Sequence, residues 1–310
     1  MLYNGSVKSI FKYYITYCRK NKEGFENLFN VFLCRESVSV SATEMENIMN
    51  VIKDAKRIVV KIGSSTLTHE NFKMNLRRIE SIAKVLSELC NAGKEVVFVS
   101  SGAISAGIAK MGLDHRPKKT EEKQALAAVG QCDLMSIYEH FFSMFGHTVA
   151  QILVTRDIME NPTARKNAEN TFSTLLKMGC IPIVNENDSV SFEEIEFGDN
   201  DALSAYVSVL CRADALVILS DIDGLYDSDP HKNPDARLIS VVEKVDEKIL
   251  AYGGGAGSNR GTGGLITKLH AAEIVTKNGI PMFIVNGEKP EHLYDLLDGK
   301  HVGTYFKAEE

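Results

Sequence analysis

Short apolar runs alternate with amphipathic helical stretches from residue 57 almost to the end of the chain, and that alternation leaves few folds open. Runs suited to buried strands occupy residues 57–61, 95–99, about 148–154, 180–184, 215–219, 281–285 and 303–306. Between the first two, Ile79, Ile82, Ala83, Leu86 and Leu89 recur at helical spacing, and Gly93 stops the helix. Further helical stretches fall at about 121–145, 165–178, 201–211 and 265–278. Strands joined through helices lie parallel, so the pattern predicts an α/β fold with a mostly parallel sheet covered on both faces. Nothing after residue 54 reads as a linker or a repeat, so residues 54–310 form one continuous unit.

Composition removes several function classes. A net charge of −6 argues against nucleic acid as the main partner, because phosphate backbones are held by clustered Lys and Arg. No apolar run has the length of a membrane span. Six scattered cysteines without a CxxC pair read as small hydrophobes in a reducing compartment, hence a cytoplasmic protein, rather than a disulfide frame or a zinc site.

Residues 1–50 stand apart. The first 22 carry Lys8, Lys12, Arg19, Lys20 and Lys22 with no acid, interleaved with Phe11, Tyr13, Tyr14 and Tyr17. Such a segment suits a membrane surface or an organelle address. The favoured reading is an extension outside the folded unit, poorly ordered, with Met45 and Met49 as alternative starts.

Polar residues gather where apolar runs end, which is where open α/β sheets bind ligands. Lys61 closes the first run beside Gly63, Ser64 and Ser65, a turn whose N–H groups suit phosphate oxygens. Ser100 and Ser101 follow the second run, either as anion-binding groups or as helix caps. From Asn185 to Asp201 there are seven carboxylates and no Lys or Arg, and a helix begins at Asn200 or Asp201. Ser220 and Asp221 end the run 215–219. Seven of the twelve positions 253–264 are Gly, and this loop enters a helix carrying Lys268 one turn in. Two lysines, a glycine-rich helix start and no evident Ser-His-Asp set suit phosphoryl transfer to an acceptor that is already ionised, such as a carboxylate.

The motifs VVKIGSSTLT (59–68), VVFVSSGAISAG (96–107), KQALAAVGQ (123–131), PIVNENDSV (182–190), EFGDNDALSA (196–205), LSDIDGLYDSDP (219–230) and GTGGLITKL (261–269) fall in one order. In that order they resemble the amino-acid kinase family, and within it the glutamate 5-kinase subgroup. The resemblance implies a three-layer sandwich about an eight-stranded, mostly parallel sheet. It implies transfer of the ATP γ-phosphate to the side-chain carboxylate of L-glutamate, with Mg2+, as the first step of proline biosynthesis. Acetylglutamate kinase activity, or a non-catalytic nucleotide-binding regulator on the same fold, are the alternatives. By resemblance Lys61 and Lys268 stabilise the transferring phosphoryl group and Asp201 orients them. Ser101, Asn185, Asp188 and Asn200 match the glutamate side. Lys61, Gly63, Ser220, Asp221 and the run Thr262, Gly263, Gly264, Leu265, Ile266, Thr267, Lys268 match the ATP side, with no protein-held metal. The stretch 189–197 is expected to be a lid, and the resemblance also implies a homo-oligomer, dimer or tetramer, with proline as feedback inhibitor. Two departures bear on control: Glu196 stands where many members carry Lys, and the sequence ends at Glu310 without the PUA domain found in many members.

Overall fold

The computed structural model describes residues 48, 50–155, 157–190, 200–230, 232–253 and 264–309. The chain divides into two units, Met1–Ile48 and Met49–Glu310, and the description below concerns the second. Residues 1–47, and with them the basic aromatic segment, lie outside the described residues.

Eight strands form one sheet in the order β3-β4-β2-β1-β5-β7-β8-β6. These are β1 (Arg57–Ile62), β2 (Glu95–Val99), β3 (Val149–Val154), β4 (Ile181–Glu186), β5 (Ala215–Ser220), β6 (Val241–Val242), β7 (Met282–Asn286) and β8 (Thr304–Phe306). The six from β3 to β7 in that order are mutually parallel. β8 pairs antiparallel with β7 and parallel with β6, so two short strands finish the sheet in reverse. The central strands are apolar along their whole length because helices cover both faces: β5 is buried at all six positions. β6, only two residues long, was not foreseen from the sequence, since a Val-Val pair carries no period.

The helices are α1 (Ser64–Leu67), α2 (Leu76–Asn91), α3 (Ala103–Lys110), α4 (Thr120–Met144), α5 (Asp157–Glu160), α6 (Pro162–Lys177), α7 (Asn200–Cys211), α8 (Glu247–Tyr252), α9 (Leu265–Thr276) and α10 (His292–Leu297). α2, α3 and α4 pack together, as do α6, α7 and α9. Local chemistry fixes their ends. Asn75 caps α2 through Arg78 N, and Asn161 caps α6 through Thr163 N and Ala164 N, with Pro162 in the first turn. The core joins Val59, Val97, Val99, Val184, Leu216 and Ile218 of the sheet to Leu203, Val207, Leu269 and Ala272 of α7 and α9. The buried thiol of Cys211, at the end of α7, belongs to the same core, and burial pushes its pKa up to about 12.

α3 and α4 cross closely because both offer glycine at the contact. A Cβ on Gly130 would lie 1.8 Å from the Ala103 carbonyl oxygen and 2.3 Å from Gly107 N. Gly130→Ala is therefore expected to force the helices apart and destabilise the fold by about 1–3 kcal/mol or more. Chemical denaturation of the variant checks this, and an unchanged midpoint would contradict the crossing.

Candidate active site

The strand order reverses direction at β1. The chain builds β2 and β4 to one side of it, then crosses to place β5 and β7 on the other. Crevices at the carboxyl ends of strands flanking such a switch are ready-made ligand sites. Lys61 lies there, paired in register with Val99 of β2 and Ile218 of β5. It sits two residues beyond Val59 and so continues the same sheet face, the face that α7 covers.

On that face Lys61 meets Asp201. Lys61 Nζ donates to Asp201 Oδ1 at 2.5 Å, and Lys268 Nζ donates to Oδ2 at 3.1 Å. Thr267 Oγ1 lies 2.9 Å from the same Oδ2 and 2.8 Å from the Gly264 carbonyl oxygen, so its one hydrogen is shared between them. The three charged residues are nearly sealed from water: Asp201 is 0% exposed, Lys61 1% and Lys268 6%. Each arrives from a different element. β1 supplies Lys61, the first turn of α7 supplies Asp201, and the first turn of α9 supplies Lys268. Within the trio itself two ammonium groups face one carboxylate in a poorly hydrated place. An anionic ligand suits such a place, because buried charges are costly unless they are paired.

Next to this trio lies a network of amides. Asn200 Nδ2 shares its two hydrogens among three acceptors, the Ser100 carbonyl oxygen at 2.6 Å, Asn185 Oδ1 at 2.9 Å and Ser101 Oγ at 3.0 Å. Asn185 Nδ2 in turn donates to Gln131 Oε1 at 2.9 Å. The ends of β2 and β4 are thus tied to the start of α7 one residue before Asp201. Ser101 lies against this network and caps no helix. The N-cap of α3 is Gly102, with φ of 91° and no side-chain cap bond, a left-handed backbone that glycine adopts freely. Asp188 is half-buried in the turn that follows the carboxyl end of β4.

The nucleotide-side residues extend in the other direction. Gly63 is the extended N-cap of α1, and a Cβ there would lie 3.8 Å from Lys61 Nζ. Ser220 ends β5 in register with Asn286, and its hydroxyl donates to Asp221 Oδ1 at 3.1 Å. Gly264, in extended conformation, is the N-cap of α9, and Leu265, Ile266, Thr267 and Lys268 form that helix's first turn. Thr262 and Gly263 lie outside the described residues, as do positions 191–197 of the lid expected at 189–197, Glu196 among them. The structure therefore brings Lys61, Asp201, Lys268 and Thr267 into one cluster and Ser101, Asn185 and Asn200 into the adjoining one.

Of three supporting residues, Gln131 and Ser100 fall inside the quoted motifs and Tyr138 lies in none. Gln131 and Tyr138 share one face of α4 with Leu134, and Ser100 meets Tyr138 across the β2 end. A polar Gln within an otherwise apolar buried stripe is the sequence signal that marks Gln131. Among the described residues no group of three His, Cys, Asp or Glu could hold a metal ion, and no helix is long and apolar enough to cross a membrane.

The family model described as "Amino acid kinase family" matches residues 56–286. The chain belongs to that family. Among curated relatives, the glutamate 5-kinase of Clostridium perfringens is 56% identical over 263 residues, covering 84% of this chain and 98% of that protein. The glutamate 5-kinase of Clostridium tetani is 53% identical over 257 residues, covering 83% and 96%. Among solved structures, a UMP kinase from Bacillus anthracis superposes with a TM-score of 0.57 at 18% identity, covering 83% of this chain and 97% of that one. At that identity the structural likeness carries the fold alone. This amino acid kinase thus has the eight-stranded sheet and the helical layers that the motif resemblance implied.

Proposed function

We propose that the protein phosphorylates the side-chain carboxylate of L-glutamate with ATP, giving L-glutamyl 5-phosphate, the first step of proline biosynthesis. The observation that carries this reading is the sealed Lys61–Asp201–Lys268 cluster beside the Asn185–Asn200–Ser101 network. The family membership and the named relatives give the reaction class its direction.

In the reaction, a γ-carboxylate oxygen of glutamate forms a bond to the γ-phosphorus as the bond to ADP breaks, and ADP leaves with the electron pair. The acceptor is ionised at neutral pH, so no proton has to be removed and no general base is required. What remains for the protein is positioning and charge neutralisation. Lys61 and Lys268 place two ammonium groups where negative charge spreads in the transition state. Asp201 holds both at fixed positions, and Thr267 fixes the side of Asp201 that faces Lys268. Ser101, Asn185, Asp188 and Asn200 form the glutamate side. Gly63, Ser220, Asp221 and the start of α9, from Thr262 to Lys268, form the ATP side. The two ammonium groups suit a polyphosphate. A magnesium ion arriving with the nucleotide would supply further charge neutralisation when bound.

The same reading includes a cytoplasmic homo-oligomer inhibited by proline, and residues 54–310 as the kinase domain. A coupled assay with ATP, magnesium and a panel of L-glutamate, N-acetylglutamate, aspartate and carbamate tests it, with and without proline. Turnover with L-glutamate is expected. Turnover only with another acceptor would overturn the substrate assignment, and ATP binding without any turnover would overturn the activity.

A further inference from the structure

Helix α4 reaches the network from behind at two places, and one of them ends in a hydroxyl that no motif contains. Gln131 meets Asn185, and two turns further along Tyr138 meets Ser100. Tyr138 OH lies 2.7 Å from Ser100 Oγ, and both residues are sealed, at 1% and 0% exposure. Ser100 Oγ also lies 3.2 Å from the Ser101 carbonyl oxygen, an atom that can only accept. A serine hydroxyl has one hydrogen, so Ser100 donates to Ser101 and accepts from Tyr138. The order is fixed: Tyr138 OH to Ser100 Oγ to Ser101 O.

This relay sets two peptide planes. The Ser101 carbonyl is held by Ser100 Oγ, and the Ser100 carbonyl receives Asn200 Nδ2 at 2.6 Å. Between them the Ser101 side chain is presented to the same Asn200 amide. The next residue, Gly102, turns at φ 91°, so the segment has little regular hydrogen bonding of its own to keep it in place. The ring of Tyr138 is itself fixed, edge-on to Phe98 of β2 at 5.4 Å and tilted against Phe142 at 6.5 Å. Burial holds its phenol well above the ordinary tyrosine range, so it remains a donor at every working pH.

We propose that Tyr138 is a positioning residue for the amino-acid acceptor, acting through Ser100 to aim Ser101 and Asn200 at it. It does not touch the substrate. Its hydroxyl converts a glycine-flanked loop into a preset binding edge, and its own hydrogen bond goes to that edge alone, which meets the Lys61–Asp201–Lys268 cluster only where Asn200 precedes Asp201 in α7. The inference rests on the glutamate-phosphorylating reading for the identity of the acceptor.

Tyr138→Phe keeps the ring contacts and removes only the donor. Steady-state kinetics of the full chain should show the KM for L-glutamate raised about five- to thirtyfold, the range expected for one buried hydrogen bond with its partner left unsatisfied. The KM for ATP and kcat should stay within about twofold. Ser100→Ala should raise the same KM, and the double variant should be no worse than the poorer single one, since both interrupt one relay. A merely structural tyrosine would lower the melting temperature while leaving the KM for glutamate unchanged, and that result would overturn the proposal. So would a parallel rise in both KM values. Should Tyr138→Phe fold poorly, Ser100→Ala alone decides by the same criteria. Wild type is measured alongside with the acceptor panel. If it uses an acceptor other than glutamate, the functional reading fails while the relay is still tested on the acceptor it does use.

Discussion

Asp201→Asn is expected to cost both activity and stability, each by a large factor. Asn keeps the shape but removes the one negative charge between two ammonium groups, leaving Lys61 and Lys268 facing each other almost without water. Breaking a buried ion pair by removing one partner typically destabilises by about 3–5 kcal/mol, because the remaining charge stays buried and uncompensated. For a chain of this size that corresponds to a fall of roughly 10 °C in melting temperature, readable by calorimetry. The turnover number should drop by roughly 10² or more, since neither lysine keeps its place. Adding Lys61→Met removes the second uncompensated charge, so the double variant should regain part of the lost melting temperature while remaining inactive. Equal melting temperatures for wild type and Asp201→Asn would contradict the buried trio.

Lys268→Ala separates the chemistry from the architecture. Asp201 keeps Lys61 at 2.5 Å and Thr267 at 2.9 Å, so one balanced pair survives and the fold should lose only a few degrees of melting temperature. The rate should nonetheless fall by roughly 10² or more, the usual loss when one preorganised donor to a developing negative charge is removed. The KM for L-glutamate should change little, because the Asn185–Asn200–Ser101 network makes no hydrogen bond to Lys268. Coupled kinetics at saturating ATP give both numbers. A near-normal turnover number would remove Lys268 from the mechanism.

How much of this was visible in the sequence depended on length and period. β1, β2, β4, β5 and β7 are long apolar runs bounded by Gly or polar residues, and each was legible. α2 announced itself by spacing, α9 by the glycine-rich loop that runs into it, and the start of α7 at Asn200 by its polar-to-apolar change. Of the short pieces, β8 was legible as the end strand at 303–306, and the others were not. β6 has two residues, and α8 and α10 have six each, too few to show a helical period. α1 occupies four residues of what reads as a Gly-Ser turn, because a single helical turn and a β-turn draw on similar residues.

The site divides in the same way. Lys61, Asp201 and Lys268 stand out as charged residues at the ends of apolar segments, and their convergence follows from the strand order. The supporting layer was hidden for a physical reason. Gln131 and Tyr138 sit inside an amphipathic helix, where a buried polar atom looks like any other position until its partner on another strand is known. Ser100 and Ser101 illustrate the same limit. A serine before a helix is a common cap, and only the position of Gly102 shows that the cap lies elsewhere.

The distances along the chain between members of the charged trio bear on how the molecule is made. Lys61 and Asp201 are 140 residues apart, and Lys268 follows Asp201 by 67. During synthesis, β1 to β5 can emerge and begin to collapse while the second lysine has yet to leave the ribosome. Until α9 docks, the carboxylate lacks its contact with Lys268. Closure of this centre therefore waits for α9, with β7 and β8 still to follow in the chain. A nascent chain that stalls before residue 268 would lack the means to bind a polyphosphate and act on it half-formed.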